Sequence, residues 1–221
     1  MVVLATKVYV SGDARERTVQ ALSSMVEDDV GDLDVEYTVG VRDDGFPSVT
    51  VDGEDAVAAR NVLRDRWGEI TPNHEPGDVC TGVLESWDED GFVLDAGERL
   101  RVPAAEIGLG PGSPAQIRRR FGLVQHVPLR VEYGDPPRLA DAERDRLYEW
   151  TRGNGRVNAN STTRSQLRAT VNRAGHADDV VTVERLGLLE ASVVCAPDTD
   201  PPGLLSSIGD YLPAELLAVV P

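Results

Sequence analysis

The chain has 221 residues, with 38 Asp and Glu against 22 Lys and Arg, a net charge of −16 and 41% hydrophobic residues. That length fits one large domain or two to three small ones, and the apolar share fills ordinary cores, so a wholly disordered chain is excluded. No apolar run reaches the roughly 20 residues needed to cross a bilayer, which excludes a transmembrane protein.

The apolar opening from Met1 to Val10 has no basic flank and no cleavage pattern of a secretory signal, so it predicts a first strand over Val2–Val10. After a turn and helix cap at Ser11-Gly12-Asp13, the residues Val19, Leu22, Val26 and Val30 recur at helical spacing. Leu33, Val35, Tyr37, Val39 and Val41 then alternate with polar residues, the period of a strand with one wet face. Asp43-Asp44-Gly45 turns the chain into a second strand around Ser48 to Val51. Gly53-Glu54-Asp55 opens a helix whose stripe is Ala56, Ala59, Leu63 and Trp67. Strand, helix, strand, strand, helix predicts a ferredoxin-like (split βαβ) domain over residues 1–72 without its last strand. Thr71 to Gly77, with two prolines and a glycine, predicts a linker.

Between residues 77 and 134, short strands over Asp78–Ser86, Gly91–Ala96, Arg99–Val102 and Val127–Tyr133 predict a small β-barrel. Its segments Gly82-Val83, Gly91-Phe92-Val93-Leu94 and Val102-Pro103-Ala104-Ala105-Glu106-Ile107 resemble the ribosomal-protein type of OB-fold RNA-binding domain. The resemblance implies that Phe92 lies on a base-stacking face. Trp87 is a second stacking candidate, and a core role is the alternative for both. The glycine-rich loop Gly108 to Gly112 departs from the family pattern, and residues 77–116 sum to −6, unusually acidic for a groove that tracks phosphates.

From residue 138 to 221 the pattern predicts a linking helix over Asp141–Trp150 and then a second ferredoxin-like domain. Its strand is Arg156–Asn160 and its helix Thr162–Ala174, followed by a hairpin about Gly187, a helix over Gly203–Ile208 and a strand over Leu216–Val220. The fold class is therefore α+β. As a whole the chain resembles an archaeal family of domains with no assigned function. Its order of units is similar to that in the alpha subunit of archaeal translation initiation factor two, and its first half to the stalk subunit of archaeal RNA polymerase.

Charge is unevenly placed: residues 117–176 carry 12 arginines and 6 acids, while the flanking blocks 1–76 and 177–221 sum to −9 and −7. Arg152, Arg156, Arg164, Arg168 and Arg173 occupy a stretch without acids. Arg164 and Arg168 share one helix face, behind Ser161, Thr162 and Thr163 at a helix start, where an anion is favoured. Arg118-Arg119-Arg120 is a second cluster that cannot all face one core. The first expectation is a non-catalytic RNA-binding or RNA-machinery-associated protein that uses a surface joining the barrel to the arginine helix; the alternatives are pairing with acidic groups of the chain or, as an adaptor, of a protein partner, and third a small-anion enzyme site.

His74, His126 and His176 and the two cysteines, Cys80 and Cys195, lack ligand spacing, so no metal or other cofactor is implied, and nothing points to readout of DNA sequence. Both cysteines sit in apolar runs that predict buried thiols. Of the 22 basic residues only Lys7 is a lysine. An acidic, arginine-rich, lysine-poor composition predicts a cytoplasmic protein of a halophilic archaeon, with an acidic mesophilic protein as the alternative.

Overall fold

Three antiparallel sheets organise the chain in the computed structural model, which describes residues 1–221 as a mixed α+β protein. The first sheet holds β1 (Val2–Val3), β2 (Glu36–Val41) and β3 (Pro47–Asp52) in the order β1-β3-β2, packed against α1 (Gly12–Val30) and α2 (Ala56–Trp67). Val49 and Val51 of β3 meet Leu22, Val26 and Val30 of α1 and Leu63 of α2, at the spacings that gather apolar residues on one face. The α1 stripe starts one residue earlier than its period predicts, at buried Thr18, whose hydroxyl donates to the Ala14 carbonyl at 2.8 Å.

The strand predicted over Val2–Val10 is corrected. Only Val2 and Val3 pair with β3, and Leu4 adds one bridge to Glu69. The next residues leave the sheet and plug the junction of all three units. Thr6 Oγ1 accepts from the Leu188 N–H at 2.9 Å, Lys7 Nζ donates to Glu85 and Asp95 at 2.7 and 2.6 Å, and the Tyr9 hydroxyl donates to Glu190 at 2.6 Å. These partners lie 78 to 182 residues away, so local patterning carries no trace of them.

The second sheet orders β4 (Val79–Asp88), β5 (Gly91–Asp95), β6 (Arg99–Pro103), β7 (Pro128–Glu132) and β8 (Arg138–Leu139) as β6-β5-β4-β7-β8. Its edge strands β6 and β8 approach each other, so the sheet curls into a half-barrel. Leu84 opposes Leu94 and Ser86 opposes Val93, which leaves Glu85 as a bulged residue. Such a bulge re-aims a side chain, here toward Lys7. Phe92, Leu94, Leu100, Val102 and Leu129 fill the curl with Ile117 of α3 (Pro114–Arg120). The helix α4 (Asp141–Trp150), grouped by sequence with the C-terminal unit, packs on this sheet instead. Its Leu147 and Trp150 enter the same core, and buried Glu143 accepts from Arg130 Nε on β7 at 2.9 Å.

The third sheet places β9 (Arg156–Ala159), β10 (Val180–Arg185), β11 (Ala191–Cys195) and β12 (Leu216–Val219) in the antiparallel order β10-β11-β9-β12. Leu167 and Val171 of α5 (Arg164–Arg173) and Leu204 and Ile208 of α6 (Pro201–Gly209) cover its apolar face. Cys80 and Cys195 are buried free thiols, and no helix is long and apolar enough to cross a membrane.

Candidate functional site

The structure disperses the residues expected to bind nucleic acid. Phe92 is fully buried in the half-barrel core, so its assignment to a stacking face is corrected: on β5 both faces are covered and no side chain there meets solvent bases. Trp87 is half-buried against the same core, with the Arg118 guanidinium 3.7 Å above its ring. Arg118 itself is only 4% exposed and forms an ion pair with Glu215, so it is a core cation and not a phosphate ligand. Burial and the neighbouring Arg119 push its guanidinium down to about 10. Arg120 is spent on its own glycine-rich loop, donating to the Leu109 and Pro111 carbonyls at 2.5 and 2.9 Å. Arg152 pairs with Glu149 at 2.7 Å and Arg156 pairs with Glu184. Arg119, Arg168 and Arg173 are exposed and form no ion pair, and Arg119 lies far along the chain from the other two.

What the fold does bring together is a cleft of about 1090 Å³ where α1, α4, β10 and the start of α5 meet. Five arginines line it: Arg66, Arg146, Arg156, Arg164 and Arg185. Three are balanced by carboxylates, Arg66 by Asp29 at 3.0 Å, Arg146 by Glu143 and Arg156 by Glu184. Two are not. Arg164 Nε donates to the Val183 carbonyl at 2.6 Å, and Arg185 Nη1 donates to the Met25 thioether at 3.0 Å with its guanidinium 4.0 Å from the Trp67 ring centre. Desolvation and the nearby Arg66 depress the pKa of Arg185, and the attraction of Asp29 offsets them only in part.

The N-terminus of α5 opens on the same cleft through Thr163, Arg164 and Ser165. Thr163 Oγ1 accepts from the Gln166 N–H at 3.3 Å, while the Gln166 side chain accepts from the Thr163 N–H at 3.0 Å, a reciprocal cap. The helix dipole therefore adds to the field of the two unbalanced guanidiniums. Of the expected residues, the cleft gathers Arg156 and Arg164. Arg66, Arg146 and Arg185 were missed because they come from three distant segments. Arg185 carried one signal, as the single basic residue among residues 177–221.

A second, smaller cavity of about 400 Å³ sits at the junction plug and is lined by Lys7, Tyr9, Arg15, Arg42, Glu85 and His126 among others. Burial opposes the charge on Lys7, but its hydrogen bonds to Asp95 and Glu85 outweigh that and hold its pKa above the ordinary value. An ammonium so held is no nucleophile. His126 stacks on Tyr9 with ring centres 3.9 Å apart and φ of 70°, and burial lowers its pKa. The cavity thus lies where the units join. No three His, Cys, Asp or Glu side chains converge as metal ligands.

Family models cover nearly all of the chain: the DUF2110 N-terminal domain over residues 1–73, the DUF2110 central domain over 74–151 and the DUF2110 C-terminal domain over 154–220. No curated protein matches the chain.

Proposed function

The chain belongs to the DUF2110 family along nearly its whole length, and from that premise, which assigns no chemistry, we propose that it is a non-catalytic RNA-binding protein whose arginine-lined cleft holds the phosphate backbone. The observation that carries this reading is the pair Arg164 and Arg185, two guanidiniums without an ion-pair partner in a cleft whose other three arginines are paired and whose wall also holds Asp28, Glu149 and Glu184. An arginine fork that no carboxylate occupies is suited to bidentate contact with phosphate. The reading moves the site from the barrel face and arginine helix expected from sequence to the meeting point of three units.

The finer fold reading has support of the same kind. The strand order β10-β11-β9-β12 supports a ferredoxin-like C-terminal unit, and β1-β3-β2 supports the same unit lacking one strand at the N-terminus. The curl of the central sheet supports an OB-like barrel. The excess of 16 negative charges supports a cytoplasmic protein of a halophilic archaeon. Such a chain is expected to lose melting temperature on dialysis from about 2 M to about 0.1 M salt, as screening weakens. An unchanged melt would remove the halophilic reading.

Arg168 and Arg173 favour a second reading, an adaptor for an acidic protein partner, because both are exposed on α5 without an ion pair and neither lines the cleft. One pair of variants separates the two. Arg164→Ala is expected to weaken RNA binding and to lower the salt slope by about one, while Arg168→Ala leaves binding unchanged. Loss of a co-purifying acidic protein from Arg168→Ala, with RNA binding absent from the parent, would favour the adaptor.

A further inference from the structure

We infer that the cleft takes single-stranded RNA and stacks an unpaired base on the guanidinium plane of Arg185, an inference that rests on the phosphate-binding reading of the same cleft. Phosphate binding alone calls for a polar wall, yet this cleft carries Met25, Trp150, Val183, Leu186 and Leu188 beside its arginines. An apolar wall next to cations suits a ligand that is itself half apolar and half anionic, as a nucleotide is. A double helix keeps its bases paired inside and presents only its phosphates and groove edges, so it has nothing to place against that wall. A single strand turns bases outward, and proteins meet them with aromatic or guanidinium planes.

Arg185 is built as such a plane. The Trp67 ring centre lies 4.0 Å from its guanidinium, and of the two residues only Arg185 lines the cleft. Trp67 is in turn fixed by its Nε1, which donates to Asp29 at 3.1 Å, and the same carboxylate holds Arg66. Met25 Sδ takes one Nη1 hydrogen at the edge and fixes the rotation of the fork. The plane is therefore set before any ligand arrives, which lowers the ordering cost of binding. Arg164 lines the same cleft and is the cation available to a phosphate of the stacked nucleotide.

The test uses the full chain and three probes of equal length: single-stranded oligoadenylate, the same strand annealed to oligouridylate, and an abasic ribose-phosphate chain. Affinities are read by fluorescence anisotropy at one salt concentration. Oligoadenylate is expected to bind about tenfold or more tighter than the other two. Arg185→Lys keeps the charge and loses the plane, so it is expected to erase that advantage while binding the abasic chain as the parent does. Equal binding of oligoadenylate and the abasic chain, or a duplex bound as tightly as the single strand, overturns base stacking and leaves the phosphate reading standing. Absence of binding to all three probes overturns both. The comparison of probes on the parent protein decides the matter even where Arg185→Lys does not fold.

Discussion

Glu215→Ala is expected to destabilise the protein by about 3 kcal/mol, toward the lower end of the range for breaking a buried ion pair, because water reaches part of Glu215. Arg118 has no other carboxylate partner, and its Nε has no acceptor at all. Burial lowers its pKa only to about 10, so at neutral pH the guanidinium cannot escape the cost by losing its proton. The second oxygen of Glu215 accepts from the Gln125 N–H at 2.8 Å, and Asn160 ties the backbone of Glu215 to the Gln125 carbonyl. One substitution thus releases a cation and a backbone donor at the seam between the central and C-terminal units. Urea unfolding at neutral pH measures the loss. Arg118→Met combined with Glu215→Ala is expected to recover much of it, since the orphaned charge is then gone and Trp87 keeps an apolar neighbour. A single Glu215→Ala variant as stable as the parent would show that the pair holds nothing together. Any RNA-binding defect in an Arg118 variant has to be read against this folding role.

The elements of the C-terminal unit were legible because they have local causes: Gly187 lies between two strands, and Leu167 and Val171 repeat at helical spacing, although α6 begins at Pro201 behind its Asp200 cap, two residues before the expected Gly203. The opening segment was misread because Val2–Val10 has the same apolar, β-branched composition whether it forms a strand or a buried irregular plug. The difference lies in Thr6, Lys7 and Tyr9, whose partners are distant. Phe92 was misplaced for a different reason. Alternation assigns residues to two faces of a strand, but β5 is buried on both, with Val93 as well as Phe92 and Leu94 out of solvent. The arginine block was visible as composition, whereas pairing is a property of geometry: Arg118 finds a carboxylate 97 residues away, and Arg185 finds none. The cleft was out of reach for the same reason, because its two unbalanced cations stand out only once the carboxylates of the others are placed.

Glu190→Gln is expected to flatten the pH dependence of stability and to make the protein more stable than the parent on the alkaline side. Glu190 is buried, meets no cation, and leaves Oε2 without a hydrogen-bond partner against the Cα of Gly187. Desolvation lifts its pKa to about 8, partly offset by the hydrogen bond from Tyr9 and by the Leu189 N–H. The groups that face it are the Tyr9 hydroxyl, itself raised by burial and by Glu190, and through Tyr9 the Ser161 N–H at 2.8 Å and the stacked ring of His126. An acid with a raised folded pKa binds its proton more tightly in the native state than in the unfolded chain. Its stabilising effect is complete below the unfolded value of 4.5 and is lost as the pH climbs to about 8, at a slope near 1.4 kcal/mol per unit. Glutamine keeps the shape and still accepts from Tyr9, but has no proton to lose. Denaturant unfolding at steps between about pH 5 and about pH 9 should show a falling curve for the parent and a shallower one for the variant. Parallel curves would mean that Glu190 is ionised in the native state across that range, and that the Tyr9 clamp between the N-terminal and C-terminal units tolerates a bare carboxylate.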